Sequence, residues 1–575
     1  MKTNTPEAGE SGTALLMTMI MTGVALATLA GVMEYAATNA RLVDRANQFS
    51  RATAAAEAAT EKVVTHIAQD FLNGGQAYVL ANLSSYQSIT PTAADSSFWS
   101  DWEFNDATGN LGRTFVQSGG AVNYTVINSA YAGLQGFATT FTVVSNARQI
   151  DSYQNVPAGV LEQVQLAGIP IFQFAMYTSG DMEISCGQPF TVTGRVHSNG
   201  QLYVEPDSSL TFLSSVTAVG SILFQRDPLD TRGSPSGSAV YLVPDVANVP
   251  ALTLPIGTSN SPTAIREIIE PPAPFEDPTS PLGRSRYVNQ ADMVVVVSDT
   301  GVSATSGEYN GFGTAVPANQ LNGFISTTNS FFDARENKTV LPIDINIAGL
   351  DTWSATNINI RLALGGMDVS SIYVLDRRTV GAATLGAVRV VNGVQLPPRG
   401  LTIATGQPLY VLGDFNQTNN AFLGTSNTTT TLPASLVGDA ITILSTGWSD
   451  ANSTASYKSR LASPTTVNAA ILAGAVDTTL GHYGGGMENF PRFLELWGAT
   501  PFTYNGSMVK LFPSLYATNT WGGTNVYAPP VRKWAFDINF NNPLKLPPLT
   551  PSLLSVNRSQ WATVAPNQTT APVSF

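Results

Sequence analysis

The feature that most constrains this chain is an uncharged apolar run near its start. Residues 13–33 contain no Asp, Glu, Lys or Arg, and most of them are Leu, Met, Ile, Val, Ala or Thr. A helix rises about 1.5 Å per residue, so about 20 such residues span the roughly 30 Å of hydrocarbon in a bilayer. Backbone polar groups in lipid must be satisfied within the segment, so the run predicts a helix that can lie in a membrane.

The helical pattern continues beyond this run. Residues 34–72 contain no proline or glycine, and apolar residues recur there at three- and four-residue steps, the spacing of one helical face. These residues are Leu42, Ala46, Phe49, Ala52, Ala56, Ala59, Val63, Ile67 and Phe71. We predict one helix over residues 13–72, about 90 Å long, with a transmembrane half at 13–33 and an end at Gly74 and Gly75.

Two common kinds of N-terminal segment explain this pattern poorly. A cleaved secretory signal carries a basic n-region and a shorter apolar region, whereas residues 1–12 hold one lysine and two glutamates. A simple membrane anchor explains the apolar run but not the uninterrupted helix after it.

Short motifs in the same region carry a family resemblance. They are Glu-Ser-Gly-Thr-Ala-Leu-Leu at 10–16, Asn-Ala-Arg at 39–41 and Ala-Ala-Ala-Glu-Ala-Ala at 54–59. Together they resemble the N-terminal region of PilX-like minor pilins of type IV pili. In that family the helix lies in the inner membrane before assembly and packs in the filament core afterwards, which would explain both halves of the predicted helix.

The resemblance implies processing between Gly12 and Thr13. In the family a short polar leader, here residues 1–12, ends in glycine and is removed by a prepilin peptidase, after which the new amino terminus is methylated. Gly9 is an alternative end of the leader. Most major pilins carry a glutamate at the fifth mature position, where this chain has Met17.

The resemblance also implies partners and a location. The partners would be other pilins or minor pilins, contacted through the N-terminal helix, together with the peptidase. The protein would cross the bacterial inner membrane once, with its body outside the cytoplasm, and then reach a pilus or a related secretion pseudopilus at the cell surface.

Composition constrains the remainder of the chain. At 575 residues it exceeds a single hydrophobic core, so we expect more than one domain. Charged residues make up only 12%, and the single Cys186 excludes an internal disulfide. The net charge is −12 without a run of Lys or Arg, which disfavours binding to nucleic acid.

Residues 73–168 predict a small β-rich head laid on the helix. Alternating or β-branched runs at 122–127, 139–144 and 160–166 are typical of half-buried antiparallel strands. The helix and this sheet would form an α+β, pilin-like N-terminal part.

From residue 169 the pattern changes to pairs of apolar residues at intervals of about 8–12 residues, separated by Gly, Asn, Asp or Ser. Residues 169–245 and 341–483 share this pattern, although no exact repeat is visible. Its pairs include Met182 and Ile184, Phe190 and Val192, Leu202 and Val204, Leu210 and Phe212, Ile343 and Ile345, and Ile358 and Ile360. We predict a large all-β body, preferably a right-handed parallel β-helix, with a β-sandwich as the alternative.

Two segments depart from this pattern. Residues 246–340 are rich in Pro, Gly and Asn and predict an extended surface insertion or a domain linker, because proline breaks sheet ladders. Residues 484–575 concentrate aromatic residues and prolines. They predict a cap over the open end of the solenoid followed by a tail, or alternatively an exposed aromatic surface that binds a glycan or another surface.

Several stretches of the second half are also similar to pieces of large PilX-like pilus-assembly proteins. They lie at 332–338, 391–402, 410–416, 485–495 and 504–507. The similarity implies no catalytic role, and the Gly, Asn and Asp residues in these stretches are typical of turns.

Residue patterns for metal binding and nucleophilic catalysis are missing from the sequence. His66, His197 and His482 have no cysteine or second histidine at ligand spacing, which disfavours a zinc site. No Gly-x-Ser-x-Gly elbow or phosphate-binding loop precedes a predicted helix. We therefore predict no cofactor, no metal and no catalytic residues.

Carboxylates offer the best candidates for hidden chemistry. Asp414, Asp439 and Asp450 lie in successive predicted coils, where a carbohydrate-cleaving β-helix would place paired acids. Asp450 also lies in an oxygen-rich stretch that resembles a loose calcium loop without EF-hand spacing. We expect these residues to be structural.

The predicted function is that of a structural minor pilin-like subunit, placed at the tip and acting in initiation of assembly or in adhesion. The alternative is an exported, membrane-anchored β-helix that binds or cleaves carbohydrate.

Overall fold

The computed structural model describes residues 11–127, 131–306, 313–519 and 526–570. Its longest element is a helix over Ser11–Ala81, which is interrupted at Gly75, where φ is 69° and ψ is −172°. Glycine reaches this positive φ without the clash that a Cβ would cause, so the chain bends there. The predicted long helix is confirmed, and helical turns resume after the bend.

The second half of this helix packs on a six-stranded antiparallel sheet, here called the helix-packed sheet. Its strands are Trp102–Asn105, Phe115–Ser118, Asn123–Val126, Gln135–Gln149, Ala158–Pro170 and Ser552–Val564. Alanines of the helix pack against Trp102 and Phe104, and Val63, Ile67 and Phe71 pack against strand residues further along. Each large apolar side chain buried in this way contributes about 1.5–3 kcal/mol.

The last strand of the helix-packed sheet comes from the far end of the chain. Ser552–Val564 pairs along its length with Ala158–Pro170, and Leu553 lies opposite Ile169. Leu553 and Leu554 are buried. The tail expected at the C-terminus is therefore an integral strand over this range, and residues 73–168 do not complete the head alone.

The β-rich body beyond the helix-packed sheet, predicted from composition and spacing, is confirmed, and its largest unit is a 12-stranded sheet. Its strands, in spatial order, are Val216–Ala218, Arg195–Ser198, Phe174–Thr178, Pro501–Pro513, Thr465–Ala475, Ala434–Gly438, Leu401–Thr405, Ser371–Asp376, Met293–Ser298, Gly301–Ser306 and Thr314–Val316, with Val531–Phe536 paired beside Pro501–Pro513. Neighbouring strands run parallel except at the last two pairings, which are antiparallel.

Three smaller sheets complete the body. The strands of the 7-stranded sheet are Ile325–Ser326, Phe331–Asp333, Lys338–Asn346, Thr384–Val391, Leu409–Leu412, Ile441–Leu444 and Arg492–Phe493. The two 3-stranded sheets consist of Met182–Ile184, Leu202–Val204 and Ile222–Leu223, and of Phe190–Val192, Ser209–Phe212 and Ser238–Tyr241. From Lys338–Asn346 onward the 7-stranded sheet is parallel, as are both 3-stranded sheets.

Strand pairing reveals a regular spacing in the first part of the body. Met182 pairs with Leu202 and Leu202 with Ile222, so partners lie 20 positions apart. Phe190 pairs with Leu210 at the same spacing. The apolar pairs seen in the sequence are these strands, and their inward side chains share one core with the 7- and 12-stranded sheets.

The two parts of the body join within the 12-stranded sheet. Phe174–Thr178 pairs in parallel with Pro501–Pro513, and Met176 lies opposite Met508. Residues 484–575, expected to cover an open end, instead place a strand in the interior of the sheet. The physical reason is that Trp497, Phe502 and Tyr504 are core residues, with at most 1% of each exposed.

The proline-rich insertion is folded rather than extended. It contains the short helices Pro262–Arg266, Pro281–Ser285 and Tyr287–Gln290. Ser261 and Ser280 cap the first two helices, and each of those two starts with a proline. Proline is tolerated at the first helical position because an N–H group there would lack a partner within the helix. Apolar residues of the insertion cover the outer face of the 12-stranded sheet, which is why that sheet is buried on both faces.

Other helices are short. They are Leu83–Tyr86, Ala318–Leu321, Ile347–Thr356 and Ile358–Ala363, with 3-10 turns at Ser97–Asp101, Ile171–Gln173, Glu267–Ile269, Asn420–Phe422, Asp450–Asn452, Tyr457–Ser459, Met487–Asn489, Ile538–Asn541 and Pro543–Lys545. Ile358 and Ile360, expected in a strand, lie in a helix because the side chain of Asn357 caps its first backbone N–H groups.

Candidate functional site

The exposed half of the long helix is the candidate functional site. Gly12 and Thr13, the predicted processing residues, lie in its first turn, whereas Gly9 lies outside the described residues. Every residue from 13 to 47 is exposed. Among the residues that the structure describes, this is the one helix long and apolar enough to cross a membrane.

Apolar side chains cover every side of this segment. Leu15, Ile20, Leu26 and Val32 are each 58–66% exposed, and Met17 is 70% exposed. Successive helical residues are turned by about 100°, so these positions point in different directions around the axis. The segment therefore fits surroundings that are apolar on all sides, which lipid tails or a bundle of other helices provide.

The few polar side chains of the apolar half are satisfied within the helix. The hydroxyls of Thr18, Thr22 and Thr28 donate to the carbonyl oxygens of the residues four positions earlier. In an apolar environment an unsatisfied hydroxyl would be costly, and these bonds remove that cost.

Polar contacts fix the second half of the helix to the helix-packed sheet and to the segment before it. Thr60 donates a hydrogen bond to the buried Glu162, and Arg558 ion-pairs with Glu61 and lies 3.6 Å from Glu162. Burial raises the pKa of the Glu162 carboxyl above its usual value, outweighing the Thr60 bond. Lys62 forms a 2.7 Å ion pair with Asp95 on the flank of the helix.

This junction was missed by sequence reasoning. Thr60 interrupts the alanine-rich face and was the one available signal, but the participation of Arg558 follows from a strand pairing that spans almost the whole chain. These contacts hold the second half of the helix against the helix-packed sheet, whereas residues 13–47 are exposed. A helix with an apolar free half and a clamped second half can anchor the body in a membrane or insert into an assembly of helices.

The candidate acids do not converge. Asp439 is fully buried, ion-pairs with Arg266 at 2.7 Å and accepts backbone N–H bonds from Leu515 and its neighbours. Asp450 binds Arg389 and the indole N–H of Trp448. The carboxylate of Asp414 accepts from the backbone N–H of Thr466, and burial raises its pKa.

The three histidines lie in different environments. His66 is exposed on the helix, and His482 closes a turn with Thr479. His197 is buried, hydrogen-bonds Thr217 and Asn199 at 2.9 Å each, and its pKa falls to about 4 because burial disfavours the charged ring. Within the described ranges, no group of three or more His, Cys, Asp or Glu is arranged to hold a metal ion.

Comparisons with known proteins give a similarity to a solved structure. No protein-family model matches the chain, and no curated protein sequence does so either. Among solved structures the chain is similar to the competence-associated pilin ComZ from Thermus thermophilus, with 11% sequence identity and a TM-score of 0.25 over 90% of this chain and 98% of that chain. At that TM-score the similarity does not define a shared overall fold.

Proposed function

We propose that this protein is a PilX-like minor pilin subunit of a type IV pilus or a related pseudopilus. The observation that carries the proposal is the long helix, apolar and exposed on all sides in its first half and clamped to a sheet in its second. A simple anchor needs only the first half. A subunit that moves from a membrane into a filament needs both halves. The packing of the second half on the helix-packed sheet keeps the body attached to the helix during that move.

In this proposal the chain crosses the inner membrane once, with the body outside the cytoplasm. A prepilin peptidase removes residues 1–12, and the helix then packs against the helices of other pilins. The hydrocarbon of the membrane and the core of such a bundle are both dry, so the internal bonds of Thr18, Thr22 and Thr28 suit either state.

We further propose that the body is a right-handed parallel β-helix. Its support is the parallel pairing at a spacing of 20 residues in the first part and the stacked parallel ladders of the second part. A β-sandwich is built from antiparallel sheets, so this pairing favours the β-helix. Right-handed crossovers are the rule between parallel strands.

A place at the filament tip follows from the N-terminus and the size of the body. In the pilin family the carboxylate at mature position five is thought to neutralise the amino terminus of a neighbouring subunit, and Met17 cannot do so. A bare charge in a dry core is expensive, so the subunit fits best where that pairing is not needed. The large body also suits an end of the filament, where copies do not crowd each other.

The role we propose is structural, in initiation of assembly or adhesion, without catalysis. Of the candidate acids, Asp439 accepts from Arg266 and from backbone N–H groups, and one oxygen of Asp450 accepts from Arg389 and from the indole N–H of Trp448. Asp414 accepts from the backbone N–H of Thr466. Such acids hold loops in place.

Mass spectrometry of the N-terminus tests the assignment to the pilin class. We expect a mature chain that begins with methylated Thr13. Gly12→Leu should block this processing, whereas the matched change Gly9→Leu should leave it intact. A chain that keeps Met1, or one that has lost the whole apolar run, would exclude the proposal.

Gold labelling of filaments with an antibody to the folded body tests the position. Label at the ends, together with fewer filaments after deletion of the gene, is the expected result. Label along the whole shaft would exclude a tip subunit. Met17→Glu should also give fewer filaments than the wild type, because it adds a charge without a partner. Met17→Leu should give the same number as the wild type.

A further inference from the structure

A recess opens where the two parts of the body join. It is partly open to solvent, has a cavity volume of about 30 Å³, and is lined by the ends of strands from both parts and by the segment that precedes Arg492–Phe493. Its wall includes the cations Arg335, Arg492 and Lys510, while the exposed Asp181 and the half-buried Glu183 also line it. Neither the proposed assembly helix nor its clamp contributes to the recess.

Arg335 is the unusual member of this wall. Its residue is only 8% exposed, and its Nε and Nη1 atoms are buried without a hydrogen-bond partner in the described part of the chain. Burial and the nearby Arg492 guanidinium lower the pKa of Arg335 to about 9, so it is still charged at neutral pH. Buried N–H groups without acceptors are destabilising, and native proteins seldom retain them without a use.

The other lining cations are already neutralised. Arg492 ion-pairs with Glu336 and donates to the carbonyl oxygen of Ala517 at 2.8 Å. Lys510 ion-pairs with Asp477 at 2.6 Å. Nε and Nη1 of Arg335 thus have no acceptor beside the recess, whereas the nearby carboxylates of Asp333 and Glu336 favour its charged form from a distance.

An organic carboxylate supplies what these donors lack. Its two oxygens lie in one plane and accept charge-assisted hydrogen bonds from a guanidinium. The acids of the recess already accept one bond each, Asp181 from the backbone N–H of Gln201 and Glu183 from Thr478. Their second oxygens suit the hydroxyls of a sugar and would repel a phosphate, which carries more negative charge.

We propose that this recess binds an organic carboxylate, with Arg335 as the residue that binds the anion. The carboxylate belongs either to a small free acid or to an acidic sugar residue at a surface. The site lies in the body, so this proposal does not depend on whether the helix enters a filament.

Isothermal titration calorimetry on the full-length protein in detergent micelles tests the site, with sodium glucuronate, sodium acetate and neutral glucose as probes at constant ionic strength. We expect glucuronate to bind and glucose not to bind. Binding of acetate with equal affinity would identify a simple carboxylate site, and binding of glucuronate alone would identify an acidic sugar. Absence of binding by both acids would overturn the proposal.

Arg335→Met should weaken glucuronate binding by about tenfold or more, since hydrogen bonds to charged groups are lost. The matched variant Arg399→Met removes a 40% exposed arginine side chain outside the recess and should bind like the wild type. Unchanged binding by Arg335→Met would contradict the assignment.

The unfolding temperature separates a binding role from a structural one. Without ligand, Arg335→Met should unfold at the same temperature as the wild type or higher, because it removes a buried charge whose Nε and Nη1 have no acceptor. Glucuronate should raise the unfolding temperature of the wild type and of Arg399→Met, but not that of Arg335→Met. The proposal would be overturned by two results together. Ligand-free Arg335→Met would unfold at a lower temperature than the wild type, and Arg335→Lys would restore that temperature and bind glucuronate normally, which would assign Arg335 a structural role.

Discussion

At the scale of single residues, the body contains buried ions of two kinds. Asp439 has Arg266 and several N–H donors around it, so its charge is compensated. Glu205 is fully buried, but neither of its carboxylate oxygens accepts a hydrogen bond, and Arg226 lies 3.5 Å away. A buried carboxyl group therefore stabilises the fold at one site and destabilises it at another, depending on the donors that surround it.

Replacement of Asp439 tests the first kind. Asp439→Ala removes the buried ion-pair partner of Arg266, which keeps only the partly exposed Glu270. Breaking a buried ion pair typically costs about 3–5 kcal/mol of the free energy of unfolding. Asp477→Ala is the matched control, because Asp477 is exposed and its ion pair with Lys510 is worth about 0–1 kcal/mol. Urea unfolding measures both, and equal losses in the two variants would contradict the structural role of Asp439.

The second kind predicts a dependence of stability on pH. Burial, together with Glu183, raises the pKa of Glu205 to about 8, against an ordinary value near 4.5, and Arg226 and Arg232 offset this only in part. Between these two values the folded state binds more protons than the unfolded state, so stability falls as the pH rises through that window. The side chain in Glu205→Gln stays neutral, so the stability of this variant should fall less than that of the wild type between pH 5 and pH 8. Urea unfolding midpoints measure both, and parallel pH profiles would refute the prediction.

At the scale of elements, one helix combines two environments along a single axis. Up to residue 47 it is exposed throughout, and from Ala52 onward one face is buried against the helix-packed sheet. Alanine at 52, 55, 56 and 59 has a short side chain, which lets the helix approach Trp102 and Phe104 closely. Charged residues on the other faces remain available to solvent and to the flanking ion pairs.

A charge in the apolar half should prevent membrane insertion. Leu26→Arg costs about 2.5–3.5 kcal/mol at the centre of a spanning helix. Asn39→Arg places the same charge on an exposed position of the same helix beyond the apolar run and should insert normally. Membrane fractionation compares them, and equal recovery in the membrane would show that residues 13–33 do not span it.

Larger side chains should reveal the close approach of helix and sheet. Ala59 is fully buried, so Ala59→Leu should overpack the interface and cost about 1–3 kcal/mol of unfolding free energy. Ala54 lies on the exposed face, and Ala54→Leu should be nearly neutral. Thermal unfolding separates the two variants, and identical melting temperatures would mean that the helix does not pack as described.

At the scale of the whole molecule, two strands near the C-terminal end of the chain pair with strands from its first third. The strand Pro501–Pro513 joins the second part of the body to Phe174–Thr178 of the first, and Ser552–Val564 returns to the helix-packed sheet. The helix, the helix-packed sheet and the body therefore depend on one another for stability, although their residues lie far apart in sequence.

This interdependence predicts where the chain can be shortened. A chain that starts at Asn47 keeps every buried residue of the helix and should be soluble, with the thermal stability of the full-length body. A chain that starts at Gly75 loses Val63, Ile67 and Phe71 and exposes the apolar face around Phe141, Val164 and Leu166. Gel filtration should show that the second chain aggregates; a monomeric second chain would mean that the sheet does not need the helix.

The sequence by itself determined the long helix and most of the short strands. The uncharged run at 13–33 and the spacing from Leu42 to Phe71 identified the helix, and paired residues such as Met182 and Ile184 identified short strands. These signals are local, since periodicity follows from backbone geometry within one element. The resemblance of the N-terminal motifs to PilX-like minor pilins further predicts processing between Gly12 and Thr13, which the N-terminal mass will test.

Tertiary structure alone decided which elements meet. The pairing of Met176 with Met508 and of Leu553 with Ile169 depends on shared burial between segments that are distant in the chain, and spacing within one segment carries no record of it. The same is true of the helical fate of Ile358 and of the recess at Arg335. A side chain acquires its partners, or is left without them, only when separate segments are packed together, because hydrogen bonding and desolvation depend on distance in space.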